Sequence, residues 1–192
     1  MCFMKREFIR TKCWQNITEN FIRDCFDRFH YSKEQYELFK NEALALKLAI
    51  KDSEAAELCF YDGHIDVAFT LGSFLDTLIE KENRANHIME ALMLTNIASA
   101  LLMEGYRQFE DIALKYFKVD YVEYIFWGDS RLPACEIENA MAEFDKISIS
   151  VNDAMNLIPS QSVLFRLIPS GEGKSICDAC ELKKEGRCIE CR

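Results

Sequence analysis

Apolar and polar positions along the chain divide it into segments of helical and of strand period. Phe3 to Trp14 mixes aromatics with alternating charge and predicts an opening strand. From Ile17 to Phe29 the residues Phe21, Ile22, Cys25 and Phe26 share one helical face. Ser32 and Gln35 have capping-box spacing, and Tyr36, Phe39, Ala43, Leu46 and Ala49 continue at helical intervals behind them. Glu57–Tyr61 and Ile65–Thr70 predict two short strands joined by the Asp62-Gly63 turn. Thr70-Leu71-Gly72-Ser73 ends the second strand, and Ser73 is placed to cap a helix running to about Glu82.

The longest periodic stretch follows, from Asn86 to Phe117. Ile88, Ala91, Leu94, Ala98, Leu101, Leu102, Gly105, Phe109, Ile112 and Leu114 recur at helical spacing without a proline. This predicts either one rod about 45 Å long or two helices broken near Gly105. Its middle, Leu92 to Leu102, is apolar on most faces and is expected to be buried on two sides, its methionines serving as packing. After Val119 the period changes to two. Tyr121–Trp127 is expected as a strand, Glu136–Phe144 as a short helix, and Ile147–Val151 and Ser162–Ile168 as further strands. Gly128-Asp129-Ser130 and Pro133 mark the connection in between. The class is α+β, a mostly antiparallel sheet packed by a long helix. The body is expected over 1–168 and a linker over 169–176, opening on Pro169-Ser170-Gly171. A cysteine-rich tail is expected over 177–192.

Composition narrows the function. The chain has 192 residues, enough for one sizeable domain. A net charge of −9 argues against binding a phosphate backbone and against an electrostatic membrane surface, so neither nucleic acid nor membrane is expected as a partner. The longest uncharged run, Ala91–Met103, is short of the ~20 residues a membrane helix needs, and Met1–Arg10 lacks the apolar run of a signal peptide. Of the nine cysteines, Cys2, Cys13, Cys25, Cys59 and Cys135 are scattered through the body rather than framed as disulfides. A reducing, cytoplasmic location is expected.

The other four cysteines carry nameable chemistry. Cys177 and Cys180 form one C-x-x-C pair, Cys188 and Cys191 a second, with Gly186 supplying a turn before it. Two such knuckles complete a tetrahedral four-thiolate site that zinc and an iron–sulfur cluster both accept. Two redox-active or free thiol pairs are the simpler alternative. His30, His64 and His87 have no ligand spacing, and there is no Walker loop, dinucleotide fingerprint or nucleophile elbow. Thr70-Leu71-Gly72 is a strand-to-helix turn whose amides either face an anion or simply close a tight connection. Asp129, Glu136, Glu138 and Asp153 place carboxylates around the strand ends of the C-terminal half, without the spacing of an acid/base pair.

Four ordered segments carry a resemblance. Leu132-Pro133-Ala134-Cys135 is followed by a short helix, then Val151-Asn152-Asp153-Ala154-Met155 up to Pro159, then Ser162-Val163. This order resembles the reactivation (activation) domain of cobalamin-dependent methionine synthase. Thr70-Leu71-Gly72, the alanine-rich Glu90–Gly105 and the cysteine tail are similar to free-standing members found in anaerobes. The resemblance covers about Ile65 to the C-terminus. It implies a C-shaped α+β domain that binds S-adenosylmethionine on its concave face. Such a domain supports reductive methylation of inert Co(II) cobalamin held by a methionine synthase or another corrinoid protein, with flavodoxin or ferredoxin as electron source.

Departures from the family pattern shift the roles. The family's arginine falls at Trp127, its glycine-tyrosine at Arg131 and Leu132, its proline-aspartate at Glu136 and Ile137, and its later glutamate at Asp153. The resemblance therefore implies a binding turn made by Trp127, Arg131, Pro133, Ala134, Cys135, Glu136 and Asp153. In it Arg131 would pair the methionine carboxylate, Glu136 or Asp153 the amine, and Trp127 would stack on adenine or face the sulfonium. The alternative is a non-catalytic, metal-stapled protein-binding module on the same scaffold that has lost the methyl donor. A zinc-ribbon regulator of nucleic acid is disfavoured by the charge.

Overall fold

The structure, a computed structural model, describes residues 5–172. Strand β1 (Lys5–Ile9) is followed by a 3-10 turn at Cys13–Asn16, so the expected opening strand ends well before Trp14. Helices α1 (Glu19–Arg28) and α2 (Lys33–Lys51) come next. Thr18 caps α1, and the Ser32–Gln35 capping box of α2 is formed in both directions. Strands β2 (Ala55–Phe60) and β3 (Ile65–Thr70) form the hairpin. Helix α3 (Ser73–Arg84) is capped by Gly72 rather than by Ser73, because a residue with φ of 92° must make the turn. A β-carbon on Gly72 would also lie 2.4 Å from that of Ser53.

Helix α4 (Ile88–Phe117) is one unbroken rod of 30 residues, and Gly105 does not interrupt it. At Gly105 the helix instead lies tight against the sheet: a β-carbon there would sit 2.4 Å from Cε1 of Phe69. By length and composition α4 could cross a membrane. Its apolar residues, among them Leu94, Ile97, Leu101 and Phe109, are nevertheless the centre of the main core.

Strand β4 (Tyr121–Phe126) leads to a 3-10 turn at Ala134–Glu136 and the short α5 (Ile137–Met141). The helix expected over Glu136–Phe144 is therefore half its expected length. The strand expected over Ile147–Val151 shrinks to β5 (Ser150–Val151), which pairs only with β6 (Leu157–Ile158). Strand β7 (Ser162–Ser170) takes in Pro169 and Ser170, which the sequence pattern placed in a linker; they pair with Val122 and Tyr121. The cysteine quartet and the rest of the expected tail lie outside the described residues.

The main sheet has the order β1-β2-β3-β7-β4, with every neighbour antiparallel. The period of two sorts its side chains cleanly. Leu58, Val67, Phe165 and Tyr124 face α4 in the main core. Cys59, Ala68 and Leu164 face the other way, against Ile137, Phe144 and Ile147. Both central strands, β2 and β3, are buried along their whole length, which requires a cover on each face. Residues 134–158 supply the second cover.

A buried carboxylate fastens that cover. Glu57, on β2, accepts hydrogen bonds from the backbone N–H groups of Asp145 (3.2 Å), Lys146 (2.8 Å) and Ile147 (3.0 Å). Three charge-assisted bonds to amides hold irregular backbone over the sheet where a helix or strand would satisfy its own donors.

Candidate ligand site at the sheet end

The alternation that places Tyr124 and Phe126 toward α4 turns Trp127 to the opposite face, beyond the last residue of β4. Its N–H donates to the Leu164 carbonyl at 3.4 Å, and Gly128 then turns the chain at φ 103°. The loop closes on itself: the Gly128 N–H donates to the Leu132 carbonyl at 2.7 Å, and the Asp129 N–H to the Phe126 carbonyl at 3.0 Å. Asp129 Oδ1 accepts from the Arg131 N–H at 2.9 Å and from the Ser130 hydroxyl at 3.2 Å. That backbone donor, helped by Ser130 and the Arg131 guanidinium, holds the Asp129 carboxyl below its ordinary range.

Trp127 opens onto a cavity of about 710 Å³. The ends of β4 and β7 form its floor, with Phe126, Trp127, Ser162 and Leu164. One wall is the 152–160 segment, contributing Asn152, Met155, Asn156 and Ser160; Asp76 of α3 faces it. The wall is built from local and long-range hydrogen bonds. Asn152 Oδ1 accepts from the N–H groups of Ala154 and Asn156, both at 3.0 Å, and Met155 takes a left-handed φ of 60°. Asp76 accepts from the Ser160 N–H at 2.6 Å and from its hydroxyl at 2.5 Å, tying the wall to α3. Below, the Ser162 hydroxyl donates to Thr70 Oγ1 at 2.8 Å.

The Thr70-Leu71-Gly72 turn is a closed connection rather than an anion cradle. The Leu71 N–H donates to the Gln161 carbonyl at 3.0 Å and the Gly72 N–H to Thr70 Oγ1 at 3.0 Å, so both amides are used.

The seven residues of the expected binding turn separate. Trp127 lines the cavity. Arg131 lies half-exposed on the neighbouring loop, paired with Glu123 at 3.2 Å and Asp129 at 3.4 Å. Pro133, Ala134, Cys135 and Glu136 are exposed around the 3-10 turn. Asp153 is exposed at the tip of the Asn152 turn. Behind Trp127 lies a cation: the Arg166 guanidinium sits 5.3 Å from the indole centroid and makes two bonds to Asp66, at 2.6 and 2.9 Å. The Asp66 hydrogen bond, with Glu136 contributing, raises the Arg166 pKa further.

His64 extends this row: Nε2 is 3.7 Å from Asp66 and the ring stacks on Tyr61 at 4.3 Å between centroids. Burial lowers its pKa, and burial pushes the Tyr61 hydroxyl up to about 12. His87 pairs with Glu82 at 2.9 Å on another side of the molecule, and His30 follows α1.

Asp76 and Ser160 are among the lining residues that no sequence signal pointed to. Asp76 reads as an ordinary acid in the first turn of a helix. Its partner Ser160 is 84 positions away, a separation no local pattern reports.

No known family's sequence profile matches the chain, and no curated protein sequence matches it. Among solved structures, the fold is similar to the crystal structure of the MetH reactivation domain bound to AdoHcy. The TM-score is 0.59 and the identity 10%, with 96% of this chain and 87% of that chain covered. The likeness takes in the N-terminal region as well as the stretch after Ile65, and it is a likeness of fold.

Proposed function

We propose that this protein binds S-adenosylmethionine in the cavity beside Trp127 and supports reductive reactivation of cobalamin held by a corrinoid partner, a methionine synthase or a related methyltransferase. What carries the reading is the coincidence of two observations. The fold is similar to that of a domain solved with AdoHcy bound, and Trp127, one of the seven residues singled out from the sequence, lines a cavity of about 710 Å³. That volume falls within the ~300–1,000 Å³ typical of small-molecule sites.

The residues present fit such a ligand. Trp127 offers aromatic surface for a base, Asn152 and Asn156 offer amides, and Ser160, Ser162 and Asp76 offer polar contacts. When bound, the methyl donor would supply the methyl group that traps reduced cobalt. The chain's own part would be to orient that donor and exclude water, with no acid or base required of it. A flavodoxin or ferredoxin would supply the electron, and the Cys177, Cys180, Cys188 and Cys191 quartet would hold zinc or an iron–sulfur cluster.

Calorimetric titration of the purified chain with S-adenosylmethionine and AdoHcy tests the ligand reading. Saturable one-site binding, lost in Trp127→Ala with the fold intact, is expected. Absence of heat and of thermal shift at millimolar ligand rejects it.

A further inference from the structure

Asp76 is the only charged side chain among the described residues that line the cavity. The nearby cations are committed elsewhere. Arg131 is paired with Glu123 and Asp129, and Arg166 is clamped by Asp66 behind the Trp127 ring. The cavity therefore presents one negative charge, set beside Trp127, Met155 and Leu164. Asp76 is oriented by both hydrogen bonds from Ser160, at 2.6 and 2.5 Å, and its oxygens keep lone pairs free for a ligand. A charge held beside apolar walls acts through less solvent than one on an open surface, so its attraction for a cation is stronger there.

We infer that Asp76 is the specificity-determining residue of this cavity, selecting the positively charged methyl donor over its neutral demethylated form; this rests on the reading of the cavity as the S-adenosylmethionine site. The two molecules differ by one methyl group and by the sulfonium charge, so shape alone separates them poorly. A single anion in the site separates them by charge. The consequence is a site that holds the donor and relaxes its grip on the product.

The experiment is calorimetry of S-adenosylmethionine, AdoHcy and sinefungin against the wild type, Asp76→Asn and Ser160→Ala. Sinefungin carries an amine near the place of the sulfonium and serves as the charge control. The wild type is expected to bind the two cationic ligands at least about fivefold more tightly than AdoHcy, a preference that shrinks as salt is raised. Asp76→Asn retains an oxygen that accepts from Ser160. It should weaken the cationic ligands about tenfold, leave AdoHcy within about twofold, and so abolish the preference. Ser160→Ala loosens the wall but keeps the charge, and should shift all three ligands together.

A preference that survives Asp76→Asn overturns the inference while the binding reading stands. So does a wild-type preference insensitive to salt, a result that needs no variant to fold. Failure of the folded wild type to bind any of the three overturns both.

Discussion

Glu54 offers a stability test that depends on one side chain. It is fully buried just before β2. One carboxyl oxygen accepts from the Trp14 N–H at 3.2 Å, while Oε1 has no hydrogen-bond partner among the described residues. Burial pushes its pKa up from the ordinary 4.5 to about 7, against the opposing pull of the Trp14 N–H and the groups of Thr11 and Cys13. Cys13, facing it, is itself pushed up to about 12 by burial and by the charge of Glu54, so its thiol stays protonated across the working range. The folded state thus holds the Glu54 proton more tightly than the unfolded state does. Stability from this group is fully present below pH 4.5 and is lost as the pH climbs through 7. The gap between those two values, at about 1.4 kcal/mol per pH unit, sets the loss at about 3 kcal/mol by pH 8.5.

Glu54→Gln removes the charge and keeps an acceptor for Trp14. Urea unfolding of both proteins at pH 5.0 and 8.5 is the assay. The variant should gain about 3 kcal/mol relative to wild type between the two pH values, or about 6–12 °C in Tm for a chain of this size. Parallel pH profiles for the two proteins would show that Glu54 carries no such proton-linked stability.

Three further outcomes are expected. Gly105→Ala should cost about 1–3 kcal/mol in urea unfolding despite alanine's better helix propensity, because the new methyl meets the Phe69 ring inside a packed core. Glu57→Gln should cost about 2–3 kcal/mol and speed amide exchange at Asp145–Ile147, since one of its two accepting oxygens becomes a donor facing donors. For the C-terminal quartet, anaerobically purified protein should hold one four-thiolate metal centre. It would be brown with a broad band near ~400 nm if iron–sulfur, colourless with stoichiometric zinc otherwise, and Cys188→Ser should abolish either.

The parts of the fold legible in the sequence are those whose determinants are local. The Ser32–Gln35 capping box and the apolar spacing behind it specify α2 within a few residues. The β2–β3 hairpin is written in period-two runs on either side of a turn. The α4 pattern was equally plain; only the fate of Gly105 was open, and the helix runs through it with the Phe69 ring packed where a side chain would stand. The layer over the second face of the sheet was not legible. The backbone from Ile147 to Val151 has strand-like alternation, but Glu57 holds its start where a neighbouring strand would, and β5 and β6 keep two residues each.

The candidate site divides in the same way. Trp127 was singled out by the resemblance, which places a family binding residue there, at the end of a period-two run. Asp76 and Ser160 were not, because the pair that builds the cavity wall exists only after α3 and the 152–160 segment meet. Arg131 fitted a ligand carboxylate on paper, and its partners are Glu123 and Asp129.

Whether the cavity beside Trp127 takes S-adenosylmethionine is read by calorimetric titration of the wild-type chain. Saturable one-to-one binding that Trp127→Ala removes without unfolding the protein is expected. A folded wild-type chain that gives neither heat nor thermal shift at millimolar S-adenosylmethionine would contradict it.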